Sequence, residues 1–321
     1  MFDYTIQKSN GNVIVTLPNK LMFNAKFMLE MNKLIYKATK IPNITRVTVR
    51  CSENIDYDGM SQSYLINVLS YLNQLPNKSI YINSNFKNLI REKVQQKQGD
   101  KYEKEFDIGK LAKSKDLEYY VFEGKENTDK PIEHIAGLLT VYSFSINRNA
   151  LNNFLNTTIG EIFSNSNNHS EREEVFFSCM VKRIEDVVYL YVSIIDYGTT
   201  ILTNVRNYHK DGKKDIRFMP GDMCIYWAVQ PYNTTRAGSG GHGLPMLIEY
   251  IKAAKADLMI CSGESFCMIS NGEKESYENL DGGTFCGTSI AFRVKLNDPN
   301  LLLYFNKDAN KIDSINLSDI I

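Results

Sequence analysis

Glu161 and Asn165 stand four residues apart in GEIFSNSNNHS, residues Gly160 to Ser170. On a helix that spacing stacks a carboxylate and a carboxamide on one face, and Asn168 and His169 continue the face one turn further. Ile159, Ile162 and Phe163 claim the core side, so the polar stripe points into solvent or into a polar site. In such a site Asn165 would bind Mg²⁺, a hard cation that prefers oxygen ligands and keeps several waters. Glu161 would take a proton from water or a hydroxyl. The plain alternative is an ordinary polar helix face.

Three further segments carry chemistry. In VSIIDYGTTI, Val192 to Ile201, an apolar strand delivers Asp196 to its end, and Gly198 lets the chain turn sharply. A carboxylate there can accept a hydrogen bond from an exocyclic amine such as adenine N6; otherwise it opens a common Asp/Gly turn. In GSGGHGLPMLIEYIKAAKADLMI, Gly238 to Ile260, the glycines 238, 240, 241 and 243 surround His242 and precede an apolar-periodic helix starting near Leu244. Glycine lets backbone approach a ligand closely, and the free N–H groups at the helix start then meet an anion, most naturally a polyphosphate. No Gly-Lys-Ser/Thr follows and no strand leads directly in, so this is neither a Walker motif nor the dinucleotide fingerprint. In FCGTSIAFRV, Phe285 to Val294, Gly287 and Thr288 open an alternating strand. Thr288 can reach Asp196 or a base-contacting water, against the plain alternative of a strand with a glycine bulge.

The elements that must position these residues follow from periodicity. Gly11 to Leu17, Arg46 to Cys51 and Lys78 to Ile82 read as strands. Phe23, Phe27, Met31, Leu34 and Ile35 mark one helix, Met60 to Leu72 a second, and Phe86 to Val94 a third. That alternation predicts a small α/β unit with partly parallel strands. Gln95 to Lys130 is polar and reads as a linker, although LEYYVFEG inside it has strand character. From Ile132 two helical regions lead to a hairpin, Val175 to Arg183 and Val187 to Ile195. A long loop, a helix from Leu244 to Ala256 and three short strands complete the chain. The expected fold class is α+β, with domains at 1–130 and 131–321. The second is an α/β sandwich, a mixed sheet covered by helices on one face.

Composition narrows the function. Of 321 residues, 43% are hydrophobic and 23% charged, with Lys+Arg and Asp+Glu both 37. A net charge of zero argues against general nucleic-acid binding, which needs surplus positive charge. The six cysteines form no C-x-x-C pair, so zinc or thioredoxin-type chemistry is not signalled. No secretory leader and no membrane span are read, and a soluble, reducing, cytoplasmic setting is expected.

Taken together and in order, helical E-x-x-x-N, strand-end D-x-G, G-x-G opening a helix and a late G-T strand resemble the GHKL (Bergerat-fold) ATPases. The resemblance covers residues 132 to 296, roughly half the chain. The Asn-box style is similar to that of anti-sigma-factor serine kinases. It implies ATP and Mg²⁺, with Glu161 as general base and Asn165 as metal ligand. Asp196, Gly198 and Thr288 would lie on the adenine side; His169, Gly238, Gly240, Gly241, His242, Gly243 and Leu244 would complete the binding set. Where the family has a second glycine after D-x-G, this chain has Thr200, a β-branched residue that dislikes positive φ. By the resemblance the span Thr199 to Ala237 corresponds to a nucleotide lid, with Arg206, His209, Lys210, Lys213, Lys214, Arg217 and Arg236 against Asp211, Asp215 and Asp222; it either closes over a triphosphate or is a solvated loop, and its Tyr226 and Trp227 are expected to pack on the domain surface. The first domain resembles STAS domains, with Ser61 as the candidate phosphoacceptor or a helix-capping serine. Three functions stand open: an ATPase switch with a regulatory first domain, a serine/threonine kinase of the anti-sigma type acting on a protein partner, and a module that only binds ATP. A protein partner or self-association is expected.

Overall fold

The computed structural model describes residues 2–7, 11–52, 55–83, 106–107, 129–142, 148–169, 175–210, 219–235, 241–280, 282–296, 298–299 and 304–305. In the first half, strands β1 (Asp3–Gln7), β2 (Asn12–Thr16), β3 (Lys20–Leu21), β4 (Arg46–Arg50), β5 (Asp56–Tyr57), β6 (Ser79–Ile82) and β7 (Phe106–Asp107) accompany helices α1 (Ala25–Lys40) and α2 (Gly59–Gln74). In the second, α3 (Asp129–Tyr142) and α4 (Arg148–His169) lead to β8 (Val175–Ile184) and β9 (Val187–Asp196). Helices α5 (Ile201–Lys210), α6 (Gly221–Ala228) and α7 (Gly243–Ala253) follow, then β10 (Asp257–Gly263), β11 (Ser265–Ser270), β12 (Lys274–Asn279) and β13 (Phe285–Lys295).

The fold class is α+β. The first sheet has the order β1-β2-β4-β6-β7, with β2, β4 and β6 parallel to one another, as the strand–helix alternation requires, and with β1 and β7 antiparallel at its two edges. The second has the order β12-β11-β10-β13-β9-β8. Every described pairing in it is antiparallel, where a mixed sheet was expected. Four strands, not three, follow α7, because β12 (KESYEN) is a polar edge strand without the alternation of a buried one. The expected helix at 86–94, most of the polar stretch 95–130 and its strand-like segment 117–124 lie outside the described residues.

Strand alternation sorts the second sheet into two faces. Phe177, Val192, Ile194, Ile260, Ile290 and Phe292 share a core with residues of α3, α4, α5, α6 and α7. Phe176, Tyr191, Ile195, Met259, Cys261 and Phe285 share another with α1, α2 and the first sheet. Helix α2 therefore lies between two sheets. Every residue from Gly59 to Leu72 is buried, where one apolar face was expected.

The seat for α2 is a row of small residues. Ser178 on β8 pairs with Ser193 on β9, and Ser193 pairs with Ala291 on β13. Their short side chains let the helix come close. Ser63 and Ser178 hydroxyls meet at 2.5 Å, and Ser178 Oγ donates to the Ser63 carbonyl at 2.9 Å. Asn67 Nδ2 donates to the Ser193 carbonyl at 3.0 Å and to Ser193 Oγ at 3.2 Å. At the helix start a Cβ on Gly59 would sit 2.7 Å from the Tyr191 ring, so only glycine fits there.

Asp58 caps α2: its Oδ1 accepts from the Ser61 amide at 2.7 Å and its Oδ2 from the Phe23 amide at 2.6 Å. Burial pushes the Asp58 carboxyl up, against the lowering effect of those amides. Ser61 itself is 0% exposed, and its hydroxyl donates to the Leu21 and Asp58 carbonyls. In this fold it is closed off from any phosphate donor and the capping is done by Asp58. No helix among the described residues is long and apolar enough to cross a membrane.

Candidate functional site

The register of β9 decides what its last residues face. Val192 and Ile194 belong to the helix-covered side, so Asp196 points the same way, and Tyr197 points toward α2. Asp196 is 6% exposed. Its Oδ1 accepts from the Gly198 amide at 3.0 Å, the expected Asp/Gly turn, although Gly198 keeps a negative φ.

Thr288 stands opposite Asp196 in the β13–β9 register. Its hydroxyl meets Ser262 Oγ at 2.9 Å. Ser262 in turn accepts from the Ile201 amide at 2.8 Å and donates to the Gly287 carbonyl at 2.9 Å. Gly287 has φ +128°, and a Cβ there would collide with the Asp196 carbonyl oxygen. Asp196, Gly198, Thr288 and Ser262 thus form one polar cluster at the end of the sheet. Ser262 was missed in the sequence, yet its parity was readable: Leu258 and Ile260 are on the helix-covered face, so Ser262 is too.

Thr200 takes a role a glycine could not. Its φ is not positive, and its Oγ1 accepts from the Thr203 amide at 3.1 Å. It caps α5. The departure from D-x-G-x-G is a helix start, and the expected long loop 199–237 contains α5 and α6.

Glu161 lies on α4 and meets the mouth of α7. Its Oε2 accepts from the His242 amide at 3.2 Å and from the Gly243 amide. These are orphan donors of the first turn of a helix, where a negative charge is favoured. A Cβ on Gly243 would lie 2.7 Å from the Glu161 Cβ, so glycine is what lets α7 close on α4. His242 is exposed and sits edge-on to Tyr232 at 5.6 Å.

Beside this contact opens a cleft of about 100 Å³, lined by Glu161 of α4, by Gly241 and Leu244 at the start of α7, by Ile201 and Asn204 of α5, by Trp227 of α6, and by Asn233 and Thr234. Trp227, expected to pack on the domain surface, is half-buried against the core and also lines the cleft. The carboxamides of Asn204, on α5, and Asn233, in the turn after α6, were missed because both lie in a stretch read as loop. Asp196 and Thr288 do not line this cleft; Thr288 is linked to it through Ser262, which holds the amide of Ile201, and Asp196 lies opposite Thr288 in the sheet. Arg206, one of the basic residues of the expected lid, pairs with Glu264 at 2.8 Å and donates to the Met219 carbonyl.

The side chains of Asn165 and His169 lie outside the described residues, as do Gly238, Gly240, Lys213, Lys214, Arg217 and Arg236. Among the described residues no cluster of three His, Cys, Asp or Glu side chains is placed to hold a metal. No protein-family model matches the chain, and a search of curated proteins finds no match either.

Proposed function

We propose that this protein binds Mg·ATP in the manner of the GHKL class and acts as a slow ATPase switch. One observation carries the reading: the amides of His242 and Gly243 converge on a single carboxylate oxygen, that of Glu161. Two N–H groups aimed at one anionic oxygen are the donor arrangement a terminal phosphate needs. Glu161 is the one carboxylate among the described residues lining the cleft. Displaced from the helix mouth by a phosphate, it stands free to take a proton from water.

The Asp196 cluster supports the base end, because its turn orients a carboxylate, a group that accepts a hydrogen bond from an amine. Mg²⁺ would neutralise the polyphosphate, and Asn165 is its proposed ligand. At about 100 Å³ the cleft is smaller than the roughly 300 Å³ at the low end of ligand sites. Binding therefore requires α5 and α6 to move away from α4 and α7, which is the motion of a lid.

Incubation with γ-labelled ATP and Mg²⁺ tests the reading. Free phosphate is the expected product. Label on protein would make the chain a kinase, and binding without either product would leave a module that only holds the nucleotide. Trp227, the single tryptophan, lines the cleft and should change its fluorescence on ATP titration. Absence of both that change and calorimetric heat would remove nucleotide binding altogether.

A further inference from the structure

The residue between Asp196 and Gly198 is Tyr197, and its ring lies flat on that of Tyr71 from α2, with centroids 3.6 Å apart and planes at 19°. Phe176 closes the pair edge-on, 5.7 Å from Tyr71 and 5.8 Å from Tyr197. Phe285, just ahead of Gly287 and Thr288, lies 5.8 Å from Tyr197 and 6.4 Å from Tyr64 of α2. Two strand ends that carry the polar cluster are thus backed by an aromatic group whose other half belongs to the first half of the chain. The Tyr197 hydroxyl is buried with no hydrogen-bond partner, so what anchors this residue is its ring.

Backbone alternation couples the two faces. Asp196 and Tyr197 flank one planar peptide unit and send their side chains to opposite faces, so the seat of the Tyr197 ring limits where that shared peptide, and the Asp196 Cα with it, can lie. We propose that Tyr71 is a positioning residue: through its stack on Tyr197 it fixes the Asp196 carboxylate and thereby sets the selectivity of the site for a 6-aminopurine over a 6-oxopurine. This rests on the nucleotide reading above. A fixed carboxylate accepts from an amine at that position and meets an oxygen there with two unpaired acceptors, which is a strong basis for discrimination. A carboxylate free to swing away loses the penalty for the wrong base along with the bond to the right one.

Calorimetric affinities for ATP, ITP and inorganic tripolyphosphate, each with Mg²⁺, test this on the full chain. The parent should prefer ATP over ITP. Tyr71→Phe keeps the ring and should keep the ratio. Tyr71→Leu should lower the ratio by about three- to tenfold, the value of one aromatic stack, with tripolyphosphate affinity unchanged. If Tyr71→Leu does not fold, Tyr71→Met fills the same space without a planar ring and is read the same way. A ratio that survives loss of the ring overturns the proposal, and so does a parallel loss of all three affinities, the mark of general destabilisation. A parent that binds tripolyphosphate but does not tell ATP from ITP removes the role of Asp196 and this proposal with it. A parent that binds none of the three refutes the nucleotide reading itself.

Discussion

Removing the Asn67 carboxamide should weaken both halves of the molecule together. Asn67 is 0% exposed, and its Nδ2 reaches the Ser193 carbonyl, Ser193 Oγ and, at 3.4 Å, the Phe176 carbonyl. An NH₂ group has two protons, so Asn67→Ala loses two good hydrogen bonds at roughly 1 kcal/mol each. The space left in a packed interior adds about 1 kcal/mol. Against this, the Asn67 Oδ1 is buried without a partner, and its loss returns about 1 kcal/mol. The net is a destabilisation of about 2 kcal/mol. For a urea slope of about 3 kcal/mol per molar the midpoint falls by about 0.7 M. Trp227 packs against the far core, on the other side of the second sheet, while circular dichroism reports all helices. Both probes should give one transition, shifted equally, because α2 is part of the packing of both sheets. Ser193→Ala combined with Asn67→Ala should show a coupling of at least 0.5 kcal/mol, as for residues in direct contact. A Trp227 midpoint that ignores Asn67→Ala, or two separate transitions, would refute the claim that α2 ties the halves into one cooperative unit.

Further expectations concern the site and its surroundings. Asp196→Asn should weaken ATP binding measured by calorimetry; unchanged affinity would misplace the base end. Glu161→Ala should bind ATP at least as tightly as the parent and release no phosphate, since it removes both the proton acceptor and the carboxylate seated on α7; continued turnover would exclude it as the base. The Asp58 carboxyl is raised above its ordinary 3.8 by burial, so the folded state holds its proton to higher pH than the unfolded state does. Its contribution to stability is present at low pH and falls as pH rises from 3.8 through the raised value; Asp58→Asn keeps a cap acceptor and should abolish that component in pH-dependent urea melts. Cys286 is exposed and the other five thiols are buried, so iodoacetamide should label one position on the native protein, identified by peptide mass, and labelling of the buried thiols at the same rate would contradict the packing.

Much of this architecture could be read where one physical signal acted alone. Helix α1 buries Phe27, Met31 and Leu34 as its period requires, and β8 and β9 form the expected hairpin. For α2 the signal was present but seen as one-sided. GMSQSYLINVLSYLNQ contains no charged residue, so no face of it is bound to stay in water, and its small polar side chains can be buried where they find hydrogen-bond partners. Ser178 and Ser193 interrupt apolar strands at core parity, the mark of a close-packed neighbour, but which neighbour takes a fold to decide. Helices α5 and α6 escaped for different reasons: α5 buries Leu202 and Val205 on one face but is only ten residues long within a stretch read as loop, and α6, at eight residues, leaves little periodicity to detect. At the site, residue types marked Glu161, Gly243, Asp196 and Thr288. Their grouping into a helix mouth and a sheet-end cluster, bridged by Ser262 and Ile201, depends on long-range pairing that local pattern does not contain.

The Glu161 carboxylate at the start of α7 has a consequence for any measured affinity. A polyphosphate arriving there meets a seat already taken by a tethered anion, which never diffuses away. Whatever strength such a ligand displays is the difference between two occupants of one pair of amides, and the tenant built into the chain sets how much of an incoming phosphate's intrinsic hold goes unexpressed.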